Sequence, residues 1–354
     1  MGAHLTRCGA TLAIAVAIVV GLFAARAAGA QVPPPPVTAP PAPALATADR
    51  VALTEAMRLV ELVGDSLWPG WSEVPFAVLL VTPEAEFLIG HPRPTLDFAP
   101  AGDAPVLGPI RRRARVFPPN LLATFPAVGG IPTIVVGRPE ATGRGPTAWA
   151  LTILHERFHQ LQMSRPDYYD GVNALGLARG DTTGQWMLEY AFPYEDPAVR
   201  GRFVELASRL LRSLETAGSD QFAARVRGYD AARGRFRAAL APDDDRYAQF
   251  QLWQEGVARY TEIRVAELAA AAAAAGAEPP DAFRRLPGHE PYADAAARLR
   301  GEVLDGLQNA TLSTQRRVAF YPLGAATALL LDLVAPEWRD RYFTEPFALD
   351  PYFP

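Results

Sequence analysis

The segment His155-Glu156-Arg157-Phe158-His159 has the form H-E-x-x-H. On a helix, residues four apart differ by only ~40° around the axis, so the two imidazoles project side by side. Such a pair fills two corners of a tetrahedral zinc site. Glu156 lies ~100° further round, where a carboxylate reaches a water at the metal as a general base without itself being a ligand. With 5 His and 19 Glu in 354 residues, chance supplies roughly 0.004 such segments. The alternative is a pair of polar histidines on a half-buried helix that binds no metal.

A catalytic zinc takes three protein ligands and keeps one open position. The other histidines downstream of the first thirty residues, His91 and His289, lie in Pro/Gly-rich stretches and read as surface residues. A carboxylate is the natural third ligand. The strongest candidate is Glu255, in Leu252-Trp253-Gln254-Glu255-Gly256-Val257-Ala258-Arg259-Tyr260-Thr261-Glu262. Glu255, Arg259 and Glu262 share one helix face, and Gly256 and Ala258 are small enough to let a second helix approach closely. Glu189, thirty residues after His159 (189 − 159 = 30), is the rival.

These segments together resemble the gluzincin zinc metallopeptidases, and within them the aminopeptidase-N-like family. The resemblance rests on His155-Glu156-x-x-His159-Gln160 and on Leu252-Trp253-x-Glu255-Gly256-x-Ala258-x-Tyr260-x-Glu262, where the family reads L-W-L-N-E-G-F-A-x-Y-x-E. A third segment, Phe320-Tyr321-Pro322-Leu323-Gly324-Ala325-Ala326, matches the family's Y-x-K-G. The order along the chain agrees. The resemblance implies a thermolysin-like catalytic core with one Zn2+ per chain. Glu255 is then the third metal ligand, Glu156 the general base, and Tyr321 a hydrogen-bond donor to the tetrahedral intermediate.

Three departures qualify the match. Glu255 follows His159 by 255 − 159 = 96 residues, against roughly twenty in the family, so the intervening helices form an insertion. Gln254 and Leu323 replace the family's Asn and Lys. The family's Gly-x-Met-Glu-Asn signature, which anchors a free amine, has no counterpart: Val128-Gly129-Gly130-Ile131-Pro132 lies in that place without a carboxylate. Aminopeptidase specificity is therefore not implied.

The reading is an exported zinc hydrolase acting on a peptide or protein substrate. Glu262 is expected to orient a metal-bound histidine or, equally, to pair with Arg259 at the surface. Tyr321 reads otherwise as a core aromatic at a helix start. The alternatives to a peptidase are a non-catalytic exported scaffold or binding protein that retains a metal site, and a zinc hydrolase of a non-peptide amide or ester.

The elements that position these residues are legible from pattern. Pro146 opens a helix over Thr147–Met163, with Leu151, Leu154, Phe158 and Leu161 on one face and Thr152, His155, His159 and Gln162 on another. Further helices are expected at Asp49–Val63, capped by Asp49, and at Thr182–Ala191, Pro197–Ala217, Asp220–Leu240, Arg246–Ala275, Tyr292–Leu307 and Ser313–Val334. Short apolar runs at Pro75–Val81, Glu86–Ile89, Arg113–Phe117 and Ile131–Gly137 read as strands of a small sheet. Ile131–Gly137 is expected to offer an edge to an extended peptide or to be purely structural. The fold class is α+β: a small sheet packed on a mostly helical body, divided into 48–145 and 146–354.

The N-terminus reads as an export signal. His4 and Arg7 precede an apolar run from Leu12 to Phe23, and Ala28-Gly29-Ala30 supplies the small residues of a cleavage site. The run is shorter than the ~20 residues of a comfortable membrane span; an uncleaved anchor is the alternative, and no stable span is expected after cleavage. Residues 31–47 are proline-rich and read as an extended spacer. Cleavage removes two arginines and the single cysteine, leaving a net charge of 32 − 38 = −6. Thiolate catalysis and Cys-based zinc sites are thereby excluded. All 34 basic residues are Arg. No long basic stripe points to nucleic acid, and Arg111, Arg112, Arg113 and Arg115 read as a solvated loop.

Overall fold

The computed structural model describes residues 44–354. The expected export signal, 1–30, lies outside the described residues, as does nearly all of the proline-rich segment 31–47. The described chain is α+β. Its six strands are β1 Val78–Val81, β2 Ala85–Ile89, β3 Ala99–Ala104, β4 Gly108–Ala114, β5 Leu122–Val128 and β6 Ile131–Gly137, in the order β3-β4-β2-β1-β6-β5. Only β1 and β6 pair in parallel, with Val78 opposite Ile134; every other pair is antiparallel.

Alternation along the strands gives the sheet two apolar faces. Val78, Leu80, Ile134 and Val136 turn into the main core with the helices, whereas Leu79, Val81 and Val135 join a smaller cluster with Phe98, Leu121 and Val128. Gly129 and Gly130, with φ of 54° and 72°, close the β5–β6 hairpin in the left-handed region that such a two-residue turn demands.

The long helices are α1 Thr47–Leu67, α2 Pro146–Met163, α3 Pro197–Glu215, α4 Phe222–Ala238, α5 Pro242–Gln251, α6 Val257–Ala274, α7 Tyr292–Gln308 and α8 Phe320–Val334. The segment Leu312–Val334 is long and apolar enough to cross a membrane by length and composition, with 67% of its most apolar window buried inside the protein. In this fold α8 is a core helix.

Helix α2 lies between sheet and helical body, so nearly all of it is buried. Leu151, Leu154, Phe158 and Leu161 are fully enclosed, and Phe158 packs 4.8 Å from the Trp68 ring. Trp149 Nε1 donates to the Gly137 carbonyl at the end of β6, and Gln160 Nε2 donates to the carbonyls of Ala77 and Pro132. Helix α2 is thus tied to the sheet at both ends.

Several sequence expectations are corrected. Helix α1 starts at Thr47 after an Ala46 that gives no side-chain cap; Asp49 sits buried in the first turn and pairs with Arg138. Arg111, Arg112 and Arg113 are in strand β4 rather than a loop, with Arg113 Nε 2.7 Å from the buried Glu86 carboxylate. The expected helix Thr182–Ala191 reduces to one turn, Trp186–Glu189. Strand Ile131–Gly137 lies between β1 and β5, so it offers no open edge; the edge on that side of the sheet is β5. His91 and His289 are half-buried rather than exposed: His91 Nε2 meets the Val128 carbonyl, and His289 Nε2 is sealed from solvent.

Candidate metal centre

His155 and His159 share the face of α2 that their spacing requires. Their Nε2 atoms are 3.3 Å apart. Glu255 arrives from the long helical rod that runs from α5 into α6. At Leu252–Gly256 this rod widens into a single π-helical turn, and Glu255 sits within it. Such a turn inserts an extra residue and re-aims the side chains around it. Gly256 then allows the rod to meet α8 backbone to backbone, because a Cβ there would overlap Gly324, and a Cβ on Gly324 would lie 2.7 Å from the Leu252 carbonyl oxygen.

Glu255 Oε2 is 3.5 Å from His159 Nε2 and 3.8 Å from His155 Nε2. A tetrahedral ion with bonds of 2.0–2.1 Å spaces its donors about 3.4 Å apart. The three side chains therefore fit one ion, and their donor atoms all lie within 4.8 Å of one another. The exposed Glu189 instead accepts from Gln185 and is not in this group. Helices α3 and α4, inside the interval between His159 and Glu255, pack on each other and leave α2 in direct contact with α6.

The partners of the imidazoles fix their orientation. Gln162 Oε1 accepts from His159 Nδ1 at 2.7 Å. Gln162 is held in that sense because its Nε2 donates to the Tyr342 hydroxyl at 2.7 Å and the Gln254 carbonyl at 3.2 Å. His159 Nε2 is thereby the nitrogen turned towards His155 and Glu255. His155 Nδ1 faces Glu262 Oε2 at 3.8 Å, and Arg259 Nη1 holds that carboxylate at 2.5 Å. The expected pairing with Arg259 is present, but Glu262 is buried rather than at the surface.

The electrostatics follow from the packing. Burial pulls the His159 imidazole down, but the Glu255 carboxylate outweighs it and lifts the group to about 9. Burial pushes Glu255 up, yet the two histidines and Arg317 hold it well below the usual carboxylate range. Burial, then the Glu255 charge, keeps the Tyr321 phenol well above its ordinary value, so it stays an O–H donor.

Glu156 accepts from the Thr124 hydroxyl on β5 at 2.8 Å. The Tyr321 ring stacks over His155 at 6.5 Å with a 10° interplanar angle, and its hydroxyl accepts from Arg317 Nη1 at 2.8 Å. These groups line a cleft of about 1210 Å³, with β5 from Leu122 to Pro126 among its walls. Gly137 N–H donates to the Leu121 carbonyl while Leu122 faces Val136, so Leu122 and Thr124 turn their main-chain groups to the open edge.

All five residues predicted from sequence, His155, Glu156, His159, Glu255 and Tyr321, meet in this cleft. Thr124 and Arg317 were not anticipated. Arg317 lies one turn before Tyr321, a spacing visible in the sequence, whereas nothing local marks Thr124. Comparison with protein-family models, with curated proteins and with solved structures found no match to the chain.

Proposed function

We propose that the protein is a zinc-dependent hydrolase of peptide bonds, with a gluzincin-like catalytic core. The observation that carries this reading is the meeting of His155, His159 and Glu255 within 4.8 Å, beside a Glu156 that faces the same cleft. Two imidazoles and one carboxylate are a donor set suited to zinc, and three protein ligands leave a position open. When bound, zinc supplies a Lewis acid that polarises a carbonyl and acidifies water towards neutrality.

The chain's own residues do the rest. His155, His159 and Glu255 hold the ion. Glu156 takes the proton from the attacking water on one carboxylate oxygen and delivers it to the leaving amine. Thr124 fixes that carboxylate through its hydroxyl. Tyr321 donates its O–H to the oxygen that gains charge, and Arg317 donates into the phenol oxygen. The open edge at Leu122 and Thr124 offers main-chain groups to an extended peptide, while Pro126 supplies no N–H and limits the ladder. With the N-terminal signal, the enzyme acts outside the cytoplasm.

The test is Glu156→Gln in the mature protein. It retains about one zinc per chain and loses hydrolysis of an unstructured protein by about 10²–10⁴-fold. A variant as active as its parent would refute the assignment.

A further inference from the structure

Four arginines line the cleft: Arg144, Arg259, Arg298 and Arg317. Three are committed. Arg259 pairs with Glu262 and Glu302, and Arg298 with Glu290 and Glu302. Arg144 has no carboxylate within ion-pair distance but is tied by Nε to the Thr152 hydroxyl and by Nη1 to the Thr142 carbonyl.

Arg317 differs. It is only 8% exposed, and among the described residues it makes one hydrogen bond, to the Tyr321 hydroxyl, and no ion pair. Its remaining N–H groups are not sealed, and the residue lines the cleft. Its nearest counter-charge, Glu255, lies beyond ion-pair distance and belongs to the candidate metal group. A guanidinium stripped of most of its water and given no direct ion pair is costly, and its forked donors match a carboxylate. The backbone also bends sharply to deliver it. The preceding Arg316 has φ 48° and ψ −131°, a strained conformation for a residue with a side chain. That side chain turns away to lie over the Tyr194 ring.

We propose that Arg317 is a specificity-determining residue that receives a carboxylate of the substrate beside the metal centre. This rests on the hydrolase reading for the identity of the substrate, though not for the binding itself. Tyr321 links the two places: it touches Arg317 through its hydroxyl and its ring stacks at 6.5 Å on that of His155. The anion is either a peptide C-terminus or an Asp/Glu side chain. A role confined to positioning Tyr321 would lower turnover of acidic and neutral substrates alike; a receptor for carboxylate separates them.

The test measures binding, not turnover, by calorimetry on the zinc-loaded Glu156→Gln protein. The probes are N-acetyl-trialanine, its C-terminal amide, and the same amide carrying one aspartate in place of the last alanine. The free acid or the aspartyl peptide binds about 10- to 100-fold more tightly than the plain amide. A preference for the free acid alone assigns the C-terminus, and a preference for the aspartyl peptide assigns the side chain. Arg317→Ala removes the preference between the acidic probes and the plain amide; Arg317→Lys keeps part of it. Equal binding of all three probes, or a preference that survives Arg317→Ala, overturns the proposal. If neither variant folds, the parent's preference decides. A parent protein that hydrolyses no peptide yet shows this preference would break the hydrolase reading and not the carboxylate site.

Discussion

The two imidazoles of the centre are held by opposite kinds of partner. His159 is fastened by neutral groups: Gln162, whose amide is itself fixed by Tyr342 and the Gln254 carbonyl, all buried. His155 faces charges: Glu262, kept in place by Arg259, which also reaches Glu302 at the cleft rim. A dry amide network has few alternative geometries and does not respond to salt, whereas an ion pair near solvent is screened. One side of the site is a neutral, buried network; the other is a charged chain whose outer end, Glu302, is exposed. Glu255, in the π-turn, bridges both.

Removing that bridge has the largest expected effect. Glu255→Ala lowers zinc affinity by well over the ~100-fold that loss of a supporting hydrogen bond costs, measured by competition with a chelator. Glu189→Ala leaves it unchanged; the reverse result would move the ligand role to Glu189. Gln162→Leu comes next. It frees the His159 ring to turn and takes the Gln162 donor away from the Tyr342 hydroxyl, weakening zinc by up to ~100-fold, and the loss is the same at low and high salt.

The pH response is intermediate. Below about 9 the His159 imidazole holds a proton beside Glu255, and zinc must displace it. Affinity therefore falls about tenfold per unit as pH drops below that value and levels off above it. Zinc titrations across this range read the slope directly; a flat profile would contradict the pairing. The smallest effect belongs to Glu262→Gln, about tenfold in zinc affinity. It also removes salt sensitivity from the His155 side. Equal salt dependence in Gln162→Leu and Glu262→Gln would erase the distinction between the two halves.

Much of this was legible in the chain. The helical spacing of His155 and His159 needs no tertiary information, and Leu252–Glu262 announces a helix with small residues where another helix must approach. The sheet was only partly legible. Strand β3 carries Pro100, Gly102 and Asp103 and is largely exposed, so it lacks both strand propensity and an apolar face. Strand β5 contains Pro126, which an edge strand tolerates and a pattern search rejects. The π-turn at Leu252–Gly256 was hidden because it depends on packing against α8 through Gly324. Arg317 and Thr124 acquire roles only when remote elements converge, which local periodicity cannot encode.

The most direct test is anomalous diffraction at the zinc edge from crystals of the zinc-loaded protein. One peak must lie within bonding distance of His155 Nε2, His159 Nε2 and a Glu255 carboxylate oxygen, at about 2.0–2.2 Å from each. A peak elsewhere, or a bound ion that leaves Glu255 out of its coordination sphere, would contradict the centre described above.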